Sequence, residues 1–242
     1  MIKSNQEIKL PTSAELPDSD DLPVDNELQI LIPNFLGFVL GFIWAERFDW
    51  FWGINMGIYF PKSIHLRVPI VPDAFLSLGV ERIRENKLRR SYVVWEENDI
   101  PPIFALEVVS QTPGGEYDEK MRRYSQLGSL YYLIYNPDFW HRDRHEPFEM
   151  YRLVNGTYQR QIGEPFWMPE IGLGIGRGRG FHKGFQREWL YWFDERGNRY
   201  NSPEDTAIFE RQQRELAEQE ANQLKSLLAR YQDRFGELAE NE

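Results

Sequence analysis

The sequence predicts an α/β domain with a mixed β-sheet flanked by helices, followed by a C-terminal helix that resembles a coiled coil. The apolar periodicity changes along the chain in the order helix, three strands, helix, strand. The last strand–helix–strand passage is long enough for a crossover between parallel strands. We therefore expect a flexible acidic arm over 1–26, a domain over 27–203 and a charged helix over 204–242.

The first half of the domain is predicted to hold one helix and three strands. Pro33 fits the first turn of the helix. A buried stripe follows it, formed by Leu36, Val39, Leu40, Ile43 and Trp44. Strands are predicted over 52–60 and 66–78, and an insertion over 80–99 carries a third short strand at 92–95.

The second half begins with the most regular part of the pattern. A strand is predicted over 103–109, a helix over 117–127 with Gly128 as its C-cap, and a strand over 130–135. Two more strands, 148–154 and 157–162, are separated by Asn155-Gly156, which is a hairpin signal.

A glycine-rich run, "GIGRGRG" at 174–180, is predicted to be a flexible loop. It lacks the strand–turn–helix context of a dinucleotide-binding turn, so it does not indicate a nucleotide site.

Composition restricts the chemistry that the chain can support. Cysteine is absent, which excludes disulfides and cysteine-ligated zinc or iron–sulfur sites and favours a reducing compartment. No basic-then-apolar signal pattern opens the chain. The apolar run 30–45 contains Pro33, Asn34 and two glycines and is short for a membrane span. We therefore expect a cytoplasmic protein without a membrane partner.

The net charge of −10 belongs to the two ends of the chain, because residues 28–203 contain equal numbers of acids and bases. Nucleic-acid binding usually rests on a basic surface, so a local patch would be needed. The candidates for nucleic-acid contact are Arg82, Arg84, Lys87, Arg89, Arg90, Arg177 and Arg179. Glu81 and Glu85 lie within the first group, so a solvated mixed-charge face is an equal alternative.

The C-terminal tail predicts a coiled coil. Its seam, with spacings of four and three, consists of Ala217, Ala221, Leu224, Leu228, Tyr231, Phe235 and Leu238. So short a seam is marginal alone, and a second copy of the chain is the simplest partner, which predicts a homodimer. The alternative is a helix that packs on its own domain.

Glu107 is an acid in the middle of an apolar strand. A buried ionised carboxylate is costly unless it is paired or holds a metal ion. Side chains at alternate strand positions share a face. Glu107 should therefore face the same side as Ala105 and Val109, with Leu106 and Val108 on the other side.

Asp73 is a second acid inside an apolar run, "IVPDAFLSL". Taken alone, a Pro-Asp pair at a strand start fits an ordinary turn or cap. If Asp73 lies beside Glu107, the two carboxylates could hold a divalent cation. Ligands that are all oxygen favour Mg2+ or Mn2+ over zinc.

Pro72-Asp73, then Glu107 in an apolar strand, then a lysine-bearing helix resemble the PD-(D/E)XK nuclease superfamily. More closely, "VPDAFLSLGV", "LEVVSQTPGGEYDEKMRRYSQLGSLYYLIYNPD" and the charged tail resemble the Uma2 group of restriction endonucleases. The resemblance covers most of residues 28–200. It implies a restriction-endonuclease-like core of helix, three strands, helix and strand, which is the order already predicted.

The resemblance also implies a reaction. Asp73 and Glu107 would bind Mg2+ or Mn2+ for hydrolysis of DNA phosphodiesters. A lysine would orient or deprotonate the attacking water. The usual lysine position, two residues after Glu107, holds Val109 in this chain. We expect Lys120, in the next helix, to replace it, the alternative being a surface lysine paired with Glu116.

Further site candidates are weaker. Glu46 is the nearest match to an acid that many superfamily members take from the first helix, and a surface position is the alternative. Ser110 and Tyr124 lie close to the motif, although Ser110 could cap a turn and Tyr124 could simply pack. His141 and His145, in the motif "HRDRH", are predicted to lie in a loop and lack further ligands for zinc.

Together these features predict a metal-dependent endonuclease. The alternative is a nuclease fold retained as a non-catalytic binding or assembly module that acts through its C-terminal helix, which Val109 and the neutral core support.

Overall fold

The computed structural model describes residues 10–18, 26–61, 68–84 and 87–236. Its strands are β1 Trp50–Ile54, β2 Ile58–Tyr59, β3 Ala74–Leu78, β4 Tyr92–Val93, β5 Phe104–Val108, β6 Tyr131–Tyr135, β7 Phe148–Val154, β8 Thr157–Arg160, β9 Phe166–Met168, β10 Leu173–His182 and β11 Phe185–Phe193. Its helices are α1 Leu28–Ile43, α2 Met121–Leu127, α3 Trp140–Asp143 and α4 Pro203–Phe235. A 3-10 turn at Val94–Glu96 and a π-helical turn at Glu116–Lys120 complete the helical elements.

The main sheet has six strands in the order β1-β3-β5-β6-β7-β8. Strands β5 and β6 are parallel, with Phe104 opposite Tyr131, and the other neighbours are antiparallel. The predicted class, an α/β restriction-endonuclease-like fold with a mixed sheet and a long C-terminal helix, is therefore confirmed. Strands β11-β10-β9 form a second sheet, and β2 pairs in parallel with β4.

Both faces of β5 are covered, which explains why its sequence is apolar throughout. Phe104, Leu106 and Val108 face a core shared with α1 and with residues of β10 and β11. Ala105 and the following Val109 face a second core that includes side chains of α2. Glu107 therefore lies on the α2 side of the sheet, as the alternation predicted.

Helix α1 begins five residues before Pro33, so the predicted helix start is wrong. The side chain of Asn26 accepts the N–H groups of Leu28 (2.9 Å) and Gln29 (3.2 Å), which satisfies two donors of the first turn. Pro33 then lies inside the helix. A local cap outweighed the preference of proline for the first position.

Two predicted strands are shorter or divided in the structure. The stretch 52–60 forms β1 and β2 with a break between them, because Asn55 takes a left-handed conformation (φ 45°). Of 66–78, only β3 is a strand of the main sheet. Residues 66 and 67 lie outside the described residues.

The glycine-rich run 174–180 is part of strand β10, so the predicted loop is wrong. Two of its glycines allow close packing against the strand. A Cβ at Gly176 would lie 2.8 Å from the Cα of Pro165, and one at Gly178 would lie 3.1 Å from the ring of Tyr191. Glycine at these positions allows neighbouring residues to pack closely against the backbone of the strand.

The N-terminal residues 10–18 contact the domain. Tyr59 donates to the carbonyl of Pro17 (2.8 Å), and Trp95 donates to that of Pro11 (3.0 Å). The remainder of the predicted flexible arm, 1–9 and 19–25, lies outside the described residues.

By the density of internal contacts the chain divides into two units. The first contains Met1–Arg179 and Glu188–Tyr200, and the second contains Gly180–Arg187 and Asn201–Glu242. In the second unit, α4 begins with a capping box in which Ser202 and Asp205 exchange hydrogen bonds. No residue of α4 is buried. Within the described part of the chain, no helix has the length and apolar character that crossing a membrane requires.

Two glycines of α1 provide a matched test of this packing. A Cβ at Gly37 would lie 2.5 Å from Cδ1 of Trp52, whose indole N–H is held by the carbonyl of Pro33 at 3.0 Å. Gly41 has nothing within 4 Å of the same position. We expect Gly37→Ala to lower the free energy of unfolding by about 1–3 kcal/mol through overpacking. We expect Gly41→Ala to raise it by about 0.5–1 kcal/mol. Urea denaturation measures both, and equal effects would contradict the packing.

Candidate active site

Asp73 and Glu107 lie opposite each other on neighbouring strands. Strands β3 and β5 pair with Ala74 opposite Leu106, and one step further along this antiparallel register Asp73 comes opposite Glu107. The Oδ2 of Asp73 accepts the backbone N–H of Val108 at 2.6 Å. Both acids are buried. The two acids that the sequence singled out are therefore neighbours at one end of the sheet.

Glu107 has a partner on each carboxylate oxygen. Its Oε2 accepts a hydrogen bond from the Nζ of Lys120 at 2.8 Å, and its Oε1 accepts one from the hydroxyl of Tyr124 at 2.6 Å. Glu107 is 1% exposed, whereas the side chain of Lys120 is 27% exposed. Lys120 therefore reaches the end of the strand from its helix, and the alternative pairing with Glu116 is not what the structure shows.

The electrostatics of the pair differ between the two acids. Burial and the neighbouring charge of Glu107 raise the pKa of Asp73 well above its ordinary range. Burial also raises the pKa of Glu107, while Lys120 and Tyr124 oppose that change. Burial disfavours the Lys120 cation, but the charge and hydrogen bond of Glu107, together with the charges of Asp73 and Glu116, outweigh this and raise the pKa of Lys120. Lys120 is therefore a cation, and in the described part of the chain Asp73 accepts no hydrogen bond from a cationic side chain.

The turn before the helix sets the position of Lys120. Gly115 has a left-handed backbone (φ 75°), which glycine adopts without strain. The carboxylate of the buried Glu116 accepts the N–H of Gly114 with both oxygens, at 3.1 and 3.0 Å. The N–H of Lys120 then bonds to the carbonyl of Gly115 at 3.0 Å, which closes the π-helical turn. Such turns are frequent at functional sites.

Residues next to Glu107 have structural roles. Val109, at the usual lysine position, is buried in the core beside α2. The hydroxyl of Ser110 donates to the carbonyl of Thr112 at 3.0 Å, as expected of a turn cap.

The first helix contributes Gln29 to this region, and Glu46 lies elsewhere. The side-chain amide of Gln29 donates to the carbonyl of Val108 at 3.2 Å. Glu46 follows the end of α1 in an exposed turn before β1. Trp50, the first residue of β1, pairs with Leu78, so Glu46 is at the end of the sheet away from Asp73. No sequence signal distinguished Gln29.

The basic stretch 82–90 begins at that far end, where the N–H of Arg82 bonds to the carbonyl of Phe48 at 3.0 Å, and most of its described charges have partners. Arg89 pairs with the buried Glu97 at 2.7 Å, and Arg84 pairs with Glu96 at 3.5 Å. Arg90 pairs with Asp18 at 3.1 Å.

The remaining candidates for nucleic-acid contact are distributed over other positions. The guanidinium of Arg82 lies over the ring of Trp50 at 3.9 Å. Lys87 is exposed. On β10, Arg177 is paired with Glu164 at 2.8 Å, and the carbonyl of Arg179 accepts a hydrogen bond from a neighbouring arginine.

A second polar cluster lies on the same face and near the same end of the sheet as Glu107. Glu107 is opposite Ile134, which is opposite Glu149 on β7. Glu149 is 2% exposed, accepts a very short hydrogen bond from Tyr151, and contacts the Nδ1 of His145 at 3.2 Å. The sequence analysis missed this cluster. The criterion that found Glu107, an acid inside an apolar strand, also fits Glu149 in "FEMYRLV".

The residues at the paired acids fit a hard divalent cation. Two buried carboxylates lie at opposite positions of neighbouring chain segments, and burial together with the charge of Glu107 raises the pKa of Asp73, which a bound cation would relieve. Among the described residues, no group of three or more His, Cys, Asp or Glu side chains could hold a metal ion. Mg2+ commonly binds through one or two carboxylates and takes its other ligands from water and substrate phosphate.

A six-stranded mixed sheet flanked by helices, with two acids and a lysine at one end of its central strands, defines a protein with the restriction-endonuclease-like fold. The chain belongs to the Uma2 family, whose model carries the description "Putative restriction endonuclease" and matches residues 21–178. The predicted family is thus confirmed. Neither a curated protein nor a solved structure matches the chain.

The coupling between Glu107 and Lys120 is measurable as a double-mutant cycle. Removing one partner of a buried pair leaves an uncompensated charge, whereas removing both does not. We expect Lys120→Met to cost about 2 kcal/mol, less than a fully buried pair because Lys120 is partly exposed. The double variant Glu107→Gln/Lys120→Met should lose less than the sum of the single losses, by about 1–3 kcal/mol.

The exposed pair Asp18–Arg90 is the matched control, for which the coupling should stay below about 1 kcal/mol. Denaturant unfolding gives all the values. Additive losses at Glu107 and Lys120 would show that the contact does not hold in solution.

Proposed function

We propose that this protein is a metal-dependent endonuclease that hydrolyses DNA phosphodiester bonds. The observation that carries the proposal is the 2.8 Å contact between Lys120 and Glu107, with Asp73 across the register. In this chain, the strand position that holds a lysine in the superfamily pattern is occupied by another residue. A lysine from the next helix contacts the same carboxylate. Membership of a family described as restriction endonucleases supports the reaction class.

In this proposal Asp73 and Glu107 hold Mg2+ or Mn2+, which would polarise the phosphate and lower the pKa of bound water. Lys120 stands beside Glu107 as a cation, so it can orient the attacking water and offset the negative charge that develops on the phosphate. Tyr124 fixes the other oxygen of Glu107, and Val108 fixes Asp73 through its N–H group. A site held on strands keeps this geometry better than one on loops.

Metal binding is tested by thermal denaturation of the intact protein. A ligand at one hundred times its Kd stabilises by about 2.7 kcal/mol. We expect Mn2+ or Mg2+ to raise the Tm of the wild type and of Glu46→Gln, which removes an acid distant from Asp73. The variant Asp73→Asn/Glu107→Gln should lose the increase. If that variant kept it, the metal would bind elsewhere. No increase in any protein, with or without DNA, would favour the non-catalytic module.

Catalysis is tested by nicking of supercoiled plasmid in the presence of Mn2+, which offers many sequences at once. Lys120→Met should reduce the rate about 100- to 1,000-fold, the usual effect of removing one group that stabilises the transition state. Lys87→Met, which removes an exposed lysine far from the acids, is the control. Equal rates for Lys120→Met and wild type would exclude the proposed role of Lys120.

We also propose that α4 forms a parallel two-stranded coiled coil with a second copy of the chain. Its seam is exposed, with Leu224 at 68% and Leu228 at 49%. Leu238, the last seam residue, lies outside the described residues. Glu220 and Lys225 occupy flanking g and e positions, where the glutamate of one helix would meet the lysine of the other in a parallel pair. A dimer would suit cleavage of both strands of a duplex.

Sedimentation measures the dimer directly. Leu224→Asp/Leu228→Asp should convert a dimer to a monomer, because it places charges in the seam. The control Phe209→Asp/Leu216→Asp changes two residues that are equally exposed but lie off the seam, and it should remain dimeric. A monomeric wild type, or a control as disrupted as the seam variant, would reject this coiled coil.

A further inference from the structure

The segment between β6 and β7 carries the motif "HRDRH", to which the proposed function assigns no role. Because β5 and β6 are parallel and Val108 lies opposite Tyr135, this segment begins at the end of the sheet where β5 ends. It therefore follows β6 at the level of the candidate acids. The basic stretch 82–90 begins at the other end, where Arg82 bonds to Phe48.

Two sets of contacts hold the segment against the candidate site. Arg142 donates to the carbonyls of Gln111 (2.7 Å) and Ser110 (3.3 Å), which directly follow the β5 strand. The ring of His145 stacks on that of Tyr117, with centroids 3.6 Å apart and planes within 7°. Tyr117 precedes Lys120 by three residues in the same π-helical turn. The motif thus contacts both the end of the strand that carries the acid and the π-helical turn that carries the lysine.

The orientation of His145 is fixed by the buried Glu149. The Oε1 of Glu149 contacts the Nδ1 of His145 at 3.2 Å and accepts the N–H of Glu146 at 2.9 Å. The imidazole Nε2, on the other side of the ring, has no hydrogen bond to any residue that the structure describes. Glu149 is two strands from Glu107 in the same row of the sheet, which corresponds to about 10 Å between their Cα atoms.

Two arginines accompany His145 on this surface. Arg144 is exposed and has a left-handed backbone (φ 59°). Arg160 is 48% exposed and lies 3.7 Å from the same Oε1 of Glu149 that contacts His145. Tyr151 is opposite Arg160, so Arg160 is on the sheet face of Glu149. His145 and Arg160 meet at Glu149, and Arg144 adjoins His145 in the chain, so these three residues are here called the edge surface.

The acids near the edge surface are mostly engaged elsewhere. Asp143 is bound by Arg142 at 2.6 Å and by the amide of Asn136 at 2.9 Å. Glu149 is buried and accepts the hydroxyl of Tyr151. Asp138 and Glu146 are the acids of the segment that stay exposed. The guanidinium groups of Arg144 and Arg160 are donors, which suits phosphate oxygens, and His145 donates from its outward Nε2 in the imidazolium form, in which both ring nitrogens carry a proton.

We propose that Arg144, His145 and Arg160 contact the phosphate backbone of the DNA strand on which Asp73 and Glu107 act. This inference rests on the proposed function and adds the surface that holds the substrate. It moves the DNA-binding surface from the 82–90 stretch, whose arginines are paired within the protein, to the edge beside the acids. Contacts of this kind bind without reading sequence, and each one adds to the salt dependence of binding.

The test uses the full chain and a fluorescently labelled DNA duplex, with binding measured by anisotropy in EDTA and again in Mg2+. The variant is Arg144→Gln/His145→Gln/Arg160→Gln. The matched control is Arg84→Gln/Lys87→Gln/Arg90→Gln, which removes three cations of the basic stretch 82–90. We expect the first to bind at least about tenfold more weakly at low salt, with a salt slope lower by about 0.9 for each lost contact. We expect the control to stay within about twofold of wild type.

Folding is verified by Tm, and Arg144→Gln alone provides a second variant that disturbs no hydrogen bond among the described residues. Wild-type binding by the triple variant, an equal loss in the control, or no binding by the wild type would overturn the inference. The outcome is separable from that of the proposed function. Loss of binding in a protein that never cuts plasmid would retain the edge surface and reject hydrolysis. If the triple variant nicked plasmid and bound DNA as the wild type does, hydrolysis would be retained and the edge surface would be rejected.

Discussion

A carboxylate buried on a central strand of the sheet has to be compensated, and the contacts of Glu107 with Lys120 and Tyr124 provide that compensation. Both partners come from the chain segment that follows β5, so the site also holds that segment against the sheet. The left-handed Gly115 and the π-helical turn are the backbone features that direct Lys120 back to the strand. The need to compensate the buried carboxylate of Glu107 thus holds the strand, the turn and the helix together.

The two acids differ in how far neighbouring groups compensate their charge. Lys120 pairs with Glu107, while Asp73 across the register accepts a hydrogen bond from the N–H of Val108 and, among the described residues, from no cationic side chain. Burial and the charge of Glu107 therefore raise the pKa of Asp73, whereas Lys120 and Tyr124 oppose the same effect of burial on Glu107. Because Val109 is buried in the core, the strand gains apolar packing at this position. The positive charge beside Glu107 comes instead from the helical segment that follows.

The two ends of the sheet differ in the use of their charged residues. At the end away from the acids, arginines bind carboxylates and aromatic rings of the same domain, as the buried pair Arg89–Glu97 illustrates. At the end with the acids, buried Glu149 orients His145, and Arg160 stays half exposed. A count of basic residues along the sequence cannot distinguish an arginine that is paired within the fold from one that is exposed, because both are the same residue in the sequence.

The sequence by itself determined the elements whose signals are local: the apolar strand around Glu107, the parallel strand after its helix, and the hairpin at Asn155-Gly156, where both residues have positive φ. It also determined Asp73, Glu107 and Lys120 as a set, through their resemblance to a known pattern. Only the tertiary structure decided that Gln29 reaches the site while Glu46 does not, and that 174–180 is a strand packed on Pro165 and Tyr191. Those outcomes depend on which distant side chains come together, and sequence periodicity contains no information about that.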